Sequence, residues 1–505
     1  MNNENTKIYF IGIILFVLFS RMITFLDTDV FLSDDDAGFA LAAYDYNIEE
    51  SRPHLPGYYL LIKAISVVNL VTNSSFISMK ILVILLSVLS AIIIFKLFEF
   101  HFNGKNSFLY TLIIFTNPLV WFYQSTPESY VYDLFFASLI ALIYYKRQSY
   151  YLYLPIISIM GGIRMSSAFF IIPLFLFITY TYWRERRVDN INILLANLLG
   201  LVVTALWVIP LLNSVGGVSE YLRLYDTHNP MPAIGIVKNI VGFSSYALSF
   251  GIPFFIIGIY QLLTRKKINL MSKSNLYFIL IWVFPGLLFF IFGHYSKGYI
   301  LLIYPAMIIL IGIWLDKKLD KLLVSISIIQ ILFFFFYPYS KVKLDTLFKR
   351  EVRELSLPEV AWNRLNNGYL HTNTRLTNRN ELFNSFDQCV NYLETEMDEY
   401  IIFDGKTSLL TINSQVYRYP EVEFVTQKNF FRNDEYIYQK GTLLEYRYGL
   451  EELYKKVYIL CDVRMLENYV ELVDLVYKSD MHAIVIVKQG KEKDFRKYYE
   501  SLYSK

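Results

Sequence analysis

Three consecutive carboxylates, Asp34-Asp35-Asp36, stand immediately before a short apolar stretch, Ala37-Gly38-Phe39-Ala40-Leu41-Ala42-Ala43. A turn-forming segment, Arg52-Pro53-His54-Leu55-Pro56-Gly57-Tyr58, follows soon after. Carboxylates in such a place have few uses. One can N-cap the short helix while the others stay solvated. One can take a proton as a general base, or a pair such as Asp35 and Asp36 can hold Mg or Mn through oxygen ligands. Zinc has no support, because no His-Cys cluster exists. Glu128, in Pro127-Glu128-Ser129-Tyr130-Val131-Tyr132-Asp133, either joins these acids or simply suits a helix N-terminus. Arg52, His54, Arg164, His294 and Lys297 are the cations in comparable positions, and cations of this kind stabilise phosphate. Their plainer uses are an arginine snorkelling to headgroups at 164, a polar turn at 294–297 and a rigid loop at 54. Arg21, about a turn inside the first apolar segment, is near enough its end to snorkel, so it stands outside the candidate set.

These residues need a scaffold, and its composition points to lipid. The chain of 505 residues is 55% hydrophobic and only 18% charged, where soluble domains carry about 25% charge. A net charge of +3 gives no concentrated basic face for nucleic acid. About eleven segments reach or approach the roughly 20 apolar residues that span a bilayer as a helix. They lie near 8–26, 77–98, 107–124, 130–145, 150–163, 166–183, 190–212, 236–262, 276–293, 299–315 and 322–337. The first lacks a small-residue cleavage site and reads as a helix rather than a signal peptide. The stretch 58–71 is apolar but short, and is expected to lie along the membrane surface.

Lysine and arginine set the expected orientation. One set of loops holds Lys96, Lys105, Lys146-Arg147, Arg184, Arg186-Arg187, Arg265-Lys266-Lys267 and Lys317-Lys318. The alternate set, 27–56, 124–129, 161–165, 213–235 and 294–298, holds few, chiefly Arg52, Arg164, Arg223 and Lys297. The first set is therefore expected in the cytoplasm with the N-terminus. The acidic loop then faces out, and so does everything after about 338 if the helix count is odd.

Beyond Tyr337-Pro338 the chain turns polar. Strand-like runs at 400–403, 422–425, 457–460 and 483–487 alternate with helical patterns at 379–396 and 464–478, which predicts a small α/β domain. Asp404-Gly405 is a turn signal there, and no Gly-rich phosphate loop is present. The two cysteines, Cys389 and Cys461, both fall in this domain, where either a disulfide or two buried thiols would fit. The expected organisation is an all-α polytopic membrane domain over 1–337, with its key outer loop at 27–76, and an extracytoplasmic α/β domain over 338–505.

Taken together, the outer segments resemble those of the GT-C superfamily of polyprenyl-phosphate-sugar-dependent glycosyltransferases, which includes protein O-mannosyltransferases and the lipid A aminoarabinose transferase. Asp35-Asp36-Ala37 with Ala40 is similar to their D-[DE]-A-x-x-A element before a surface helix. Pro53-His54-Leu55-Pro56-Gly57-Tyr58 resembles H-P-P-G-Y, with Leu55 in place of the first proline. Glu128-Ser129-Tyr130 resembles an E-x-Y element. Gly293-His294-Tyr295-Ser296-Lys297-Gly298-Tyr299, running into Tyr304-Pro305, resembles the H-Y-x-x-x-x-x-P segment that opens a late helix. The likeness covers roughly 20–315.

The resemblance implies transfer of a sugar from a lipid-phosphate donor to an acceptor hydroxyl on a protein, lipid or glycan at the outer face of the plasma membrane. It implies Asp35 as base, aided by Asp36 and Glu128, with inversion at the sugar carbon. Arg164, His294, Lys297, Tyr299, Arg52 and His54 would attend the donor phosphate. Partial burial that raised the pKa of Asp35 would help it accept the proton. A polysaccharide ligase or polymerase is the nearest alternative. A lipid or sugar transporter fits less well, because it would place charges and broken helices near the bilayer midplane.

Overall fold

The structure is a computed structural model, and it describes residues 3–27, 31, 33–49, 52–228, 251–264, 273–292, 297–314, 320–336, 373–396, 401–404, 417–419, 423–426, 436–439, 442–445, 457–463, 466, 470–491 and 494. They fall into two compact units, one formed by 1–28 with 55–376 and the other by 29–54 with 377–505. The second unit thus joins two pieces of chain that the sequence separates, the acidic loop and the C-terminal region.

The first unit is helical. Its elements are α1 (Asn3–Asp27), α3 (Tyr59–Thr72), α4 (Ser75–Phe98), α5 (Gly104–Thr116), α6 (Pro118–Tyr123), α7 (Tyr130–Tyr145), α8 (Tyr153–Ile163), α9 (Met165–Arg184), α10 (Asn190–Ser214) and α11 (Val218–His228). They are followed by α12 (Ile252–Thr264), α13 (Lys273–Phe292), α14 (Ile300–Trp314) and α15 (Asp320–Phe336). Among the described residues, α1, α4, α9 and α10 are long and apolar enough to cross a membrane, and several shorter apolar helices accompany them. The eighth expected segment, 236–262, is described only from 251 onward.

A helix such as α10 shows what kind of solvent these elements need. It buries Ala196, Gly200, Trp207 and Leu211, yet Ile191, Leu194, Leu201, Val202, Leu206 and Ile209 are exposed. A continuous apolar face of that kind suits lipid rather than water. With no hydrophobic drive between helices in lipid, close backbone approach and interhelical hydrogen bonds hold the packing. At Gly200 a Cβ would meet Leu154 at 2.3 Å, so only glycine lets α10 lie against α8 there. Trp207 Nε1 donates to Ser158 Oγ at 3.2 Å, and Trp282 Nε1 donates to the Leu302 carbonyl at 2.9 Å.

The segment expected as one helix over 107–124 is broken into α5 and α6. Pro118 has no N–H to donate and occupies the first turn of α6, where none is needed. Asn117 caps that turn, its Oδ1 accepting from the Leu119 N–H at 3.1 Å.

The helix ends sort into two groups. At one end the last turn of α1, the close of α6, the start of α7, the α8–α9 junction and the start of α14 converge through Arg21, Gln124, Tyr130, Arg164 and Tyr299. At the other, Lys105 of α5 pairs with Asp320 of α15, Tyr144 of α7 stacks on Phe278 of α13, and Tyr182 of α9 donates to the Gln148 carbonyl.

The second unit contains α2 (Asp34–Ala42), α16 (Asn373–Glu396) and a seven-stranded sheet in the order β4-β3-β2-β1-β5-β7-β6. The strands are β1 (Ile401–Asp404), β2 (Glu423–Thr426), β3 (Tyr436–Gln439), β4 (Thr442–Glu445), β5 (Val457–Asp462), β6 (Val473–Lys478) and β7 (His482–Val487). Central β1 runs parallel to β2 and β5, while both flanks are closed by antiparallel strands. The expected helix over 464–478 is corrected here, since 473–478 is β6, paired to β7 in a hairpin. Val473 is buried and Leu475 exposed, with the register shifting between Leu475 and Tyr477, so it is the pairing partner rather than a clean alternation that makes this a strand. Cys389 on α16 and Cys461 on β5 are both buried and are not joined in a disulfide.

Candidate functional site

In the second unit, α2 carries the three carboxylates, and a serine provides its cap. The Ser33 Oγ accepts from the Asp36 N–H at 3.3 Å, so Asp34, Asp35 and Asp36 fill the first three helical positions. Negative charge is favoured there by the unpaired N–H groups of the first turn. Successive positions point different ways, and burial separates the carboxylates. Asp36 is wholly buried, whereas the Asp35 side chain is 59% exposed rather than partly buried.

Asp35 has one described partner of note. Its Oδ1 lies 3.4 Å from His54 Nδ1. The His54 ring stacks on Phe39, one turn further along α2, with centroids 5.6 Å apart and an interplanar angle of 29°. His54 is therefore held from the same helix that carries Asp35. Behind it, Arg52 is buried, with Nη1 3.5 Å from Asp45 Oδ2. The Arg52 and Asn47 backbones exchange hydrogen bonds at 2.7 and 2.8 Å, which closes the intervening loop. Both Arg52-Pro53 and Leu55-Pro56 are cis peptides.

In the first unit the remaining candidates are placed as follows. Glu128 sits partly buried on the loop before α7. Arg164 joins α8 to α9, and its Nη1 donates to Asp133 Oδ2 at 2.9 Å with both side chains almost fully buried. The guanidinium lies between two rings, 3.8 Å from the centre of Tyr130 and 4.2 Å from that of Tyr299. Tyr299 in turn donates to Ser166 Oγ at 3.0 Å. Gly298 lies so close to Tyr130 that a Cβ would stand 2.0 Å from the ring. Lys297 opens the short turn Lys297–Tyr299 before α14. The side chain of Lys297, and the whole of His294, lie outside the described residues.

Three participants escape sequence reasoning. Asp133 ends a quoted motif but has no role assigned there, although an acid in an apolar helix is itself a signal that a cation must be near. Tyr130 completes the sandwich on Arg164. Arg21, expected to snorkel, is instead wholly buried and bonded within the first unit. It donates to Gln124 Oε1 through Nε (2.9 Å) and Nη2 (2.6 Å), and to the Phe115 carbonyl through Nη2 at 2.6 Å. That carbonyl is free because the Leu119 N–H, its helical partner, is taken by Asn117. The arginine therefore repairs the break between α5 and α6. Its charge lies 4.5 Å over the Trp121 ring.

Among the described residues no group of three or more His, Cys, Asp or Glu side chains converges on a metal position. Asp36 is buried, and an Asp35 oxygen lies beside His54.

No protein-family model and no curated protein sequence matches the chain. Its fold does match solved structures, those of ArnT. ArnT from Cupriavidus metallidurans, crystallised with undecaprenyl phosphate, superposes with a TM-score of 0.53 over 97% of this chain and 99% of its own, at 10% identity. The apo form of ArnT gives 0.54 over 95% and 97%, at 11% identity. At that identity the likeness is one of fold. The apolar helices and the shared fold together point to an integral membrane protein.

Proposed function

We propose that this chain transfers a sugar from a polyprenyl-phosphate-linked donor to an acceptor hydroxyl at the outer face of the plasma membrane, with Asp35 as the general base. The observation that carries the reading is the exposed Asp35, paired with His54 on the rigid start of α2, in a chain that shares its fold with a protein crystallised with undecaprenyl phosphate. The acceptor oxygen attacks the anomeric carbon as its proton passes to the Asp35 carboxylate. The bond from that carbon to the phosphate oxygen breaks, polyprenyl phosphate leaves, and the sugar carbon inverts. His54, donating through Nδ1, would hold the Asp35 carboxylate in its aim. Asp36 and Glu128 stand as its supporting acids.

For the leaving phosphate the candidates are Arg164, Tyr299, His294, Lys297, Arg52 and His54. Arg164 retains a buried Nε without a partner among the described residues, so Asp133 occupies one edge of the guanidinium only. The reading places about eleven crossings in the membrane, the N-terminus in the cytoplasm and the C-terminal domain outside. The sugar is a hexosyl or pentosyl unit, and the acceptor a protein, lipid or glycan.

The test is transfer of radiolabelled sugar from polyprenyl-phosphate donors by purified wild-type and Asp35→Asn protein. Loss of on the order of 10²–10⁴ in rate is expected, the range typical of a general base. Equal rates would remove Asp35 from the chemistry, and no transfer by the wild type from any such donor would favour a ligase or transporter. Cysteines placed at 35 and 266 should label from opposite sides of the membrane.

A further inference from the structure

The helix that carries Asp35 is built into the hydrophobic core of the C-terminal domain. Leu41, near the end of α2, is buried in one cluster with Leu382, Phe383, Phe386, Cys389, Leu460 and Ile484 of α16, β5 and β7. Phe31, just before α2, is also buried and meets Tyr417 edge-on, with centroids 5.0 Å apart at 88°. Tyr44, just after α2, faces the same Tyr417 ring at 6.5 Å. One side chain of the C-terminal domain thus touches the chain on both sides of the carboxylates. The cap and the acidic first turn favour α2, but a helix of nine residues is too short to hold in water by itself. Its stability must come from these contacts.

Resting on the reading of Asp35 as base, we infer that Phe31, Leu41 and Tyr417 are positioning residues for that carboxylate, and that the C-terminal domain serves the reaction by holding α2. The domain is then part of the catalytic apparatus, whatever else it binds. A base displaced by about 1 Å can cost 10²-fold in rate, and loosening its anchor leaves the donor-binding residues of the helical unit unchanged. The signature is therefore a fall in kcat larger than any rise in donor KM, since His54, one of the phosphate candidates, also packs on α2.

The full-length protein tests this with Tyr417→Ala and Tyr417→Phe, and with Phe31→Leu as a variant that leaves the C-terminal domain's own residues intact. Tyr417→Ala should speed hydrogen exchange of the α2 amides at least roughly tenfold while exchange in α4 stays unchanged. It should also lower kcat roughly 10- to 100-fold, with a smaller change in donor KM. Tyr417→Phe, which keeps the ring, should restore both, and Phe31→Leu should move both in the direction of Tyr417→Ala. Unchanged α2 exchange in Tyr417→Ala and Phe31→Leu would overturn the anchoring. Faster exchange with wild-type kcat would overturn the positioning role. Failure of the base assignment is seen separately, as wild-type transfer by Asp35→Asn, because the exchange measurement does not depend on activity.

Discussion

The Arg164 guanidinium lies 2.9 Å from the Asp133 carboxylate, and neither side chain has appreciable access to solvent. Two charges withdrawn from water in this way stay together because each would be far costlier alone. The pair ties the start of α7 to the α8–α9 junction, and the rings of Tyr130 and Tyr299 cover the cation.

Removing one partner should therefore hurt more than removing both. Asp133→Asn is expected to destabilise the protein by about 3–5 kcal/mol, while the double replacement Asp133→Leu with Arg164→Met should cost far less. Arg164→Lys should fall between, since lysine keeps the charge but neither the planar fork nor the stacking. Thermal unfolding in detergent of the single and double variants checks the order.

Arg21→Met should expose the break between α5 and α6. The Phe115 carbonyl and the Gln124 side chain would each lose a buried donor, at about 1–3 kcal/mol apiece. Asn117→Ala should destabilise the start of α6 separately, by removing the oxygen that caps the Leu119 and Val120 N–H groups. Hydrogen exchange localised to 115–124 distinguishes this repair role from a general loss of packing.

His101, on the turn between α4 and α5, packs edge-on to Tyr145 with centroids 4.6 Å apart. Burial pushes its pKa down to about 4 from the usual 6.5. The unfolded chain then binds a proton between those two values that the folded chain refuses. Stability from this site is complete above pH 6.5 and declines as the pH falls toward 4, by at most about 3 kcal/mol. His101→Phe should abolish that part of the acid sensitivity, as unfolding measured at pH 7 and pH 4.5 will show.

Burial raises the Cys389 thiol to about 11, with Ser479 Oγ 3.5 Å from its sulfur. A thiol so protonated and enclosed should resist alkylation near neutral pH. Titration should find two reactive thiols only after denaturation, without any reductant. Fewer than two would mean that Cys389 and Cys461 had paired.

Much of the helical unit is readable from apolar length, because a helix that faces lipid must be apolar for most of its course whatever its neighbours. The break at Asn117-Pro118 is written in the residues as well, a cap followed by a proline. Pairings are not. Nothing local in Arg164 says that Asp133 answers it, and nothing in Leu41 says that it belongs with Phe386 and Ile484, so the acidic loop could not be assigned to the C-terminal unit from sequence. Strands β1, β2, β5 and β7 are legible as β-branched runs, whereas β3, β4 and β6 are defined by their neighbours. At the candidate site, Asp35, His54 and Arg52 are brought into one unit as the motif suggests. The choice of Asp35 over Asp36 as the exposed acid depends on helix phase, which composition alone does not fix.

The contact between Gly298 and Tyr130 has a consequence for which substitutions the two positions can accept. The glycine is there to make room for a ring, so positions 130 and 298 behave as a single inherited character. A chain that replaces the aromatic residue at 130 is released to carry a side chain at 298. One that keeps the ring must keep the glycine, or surrender the cover over Arg164.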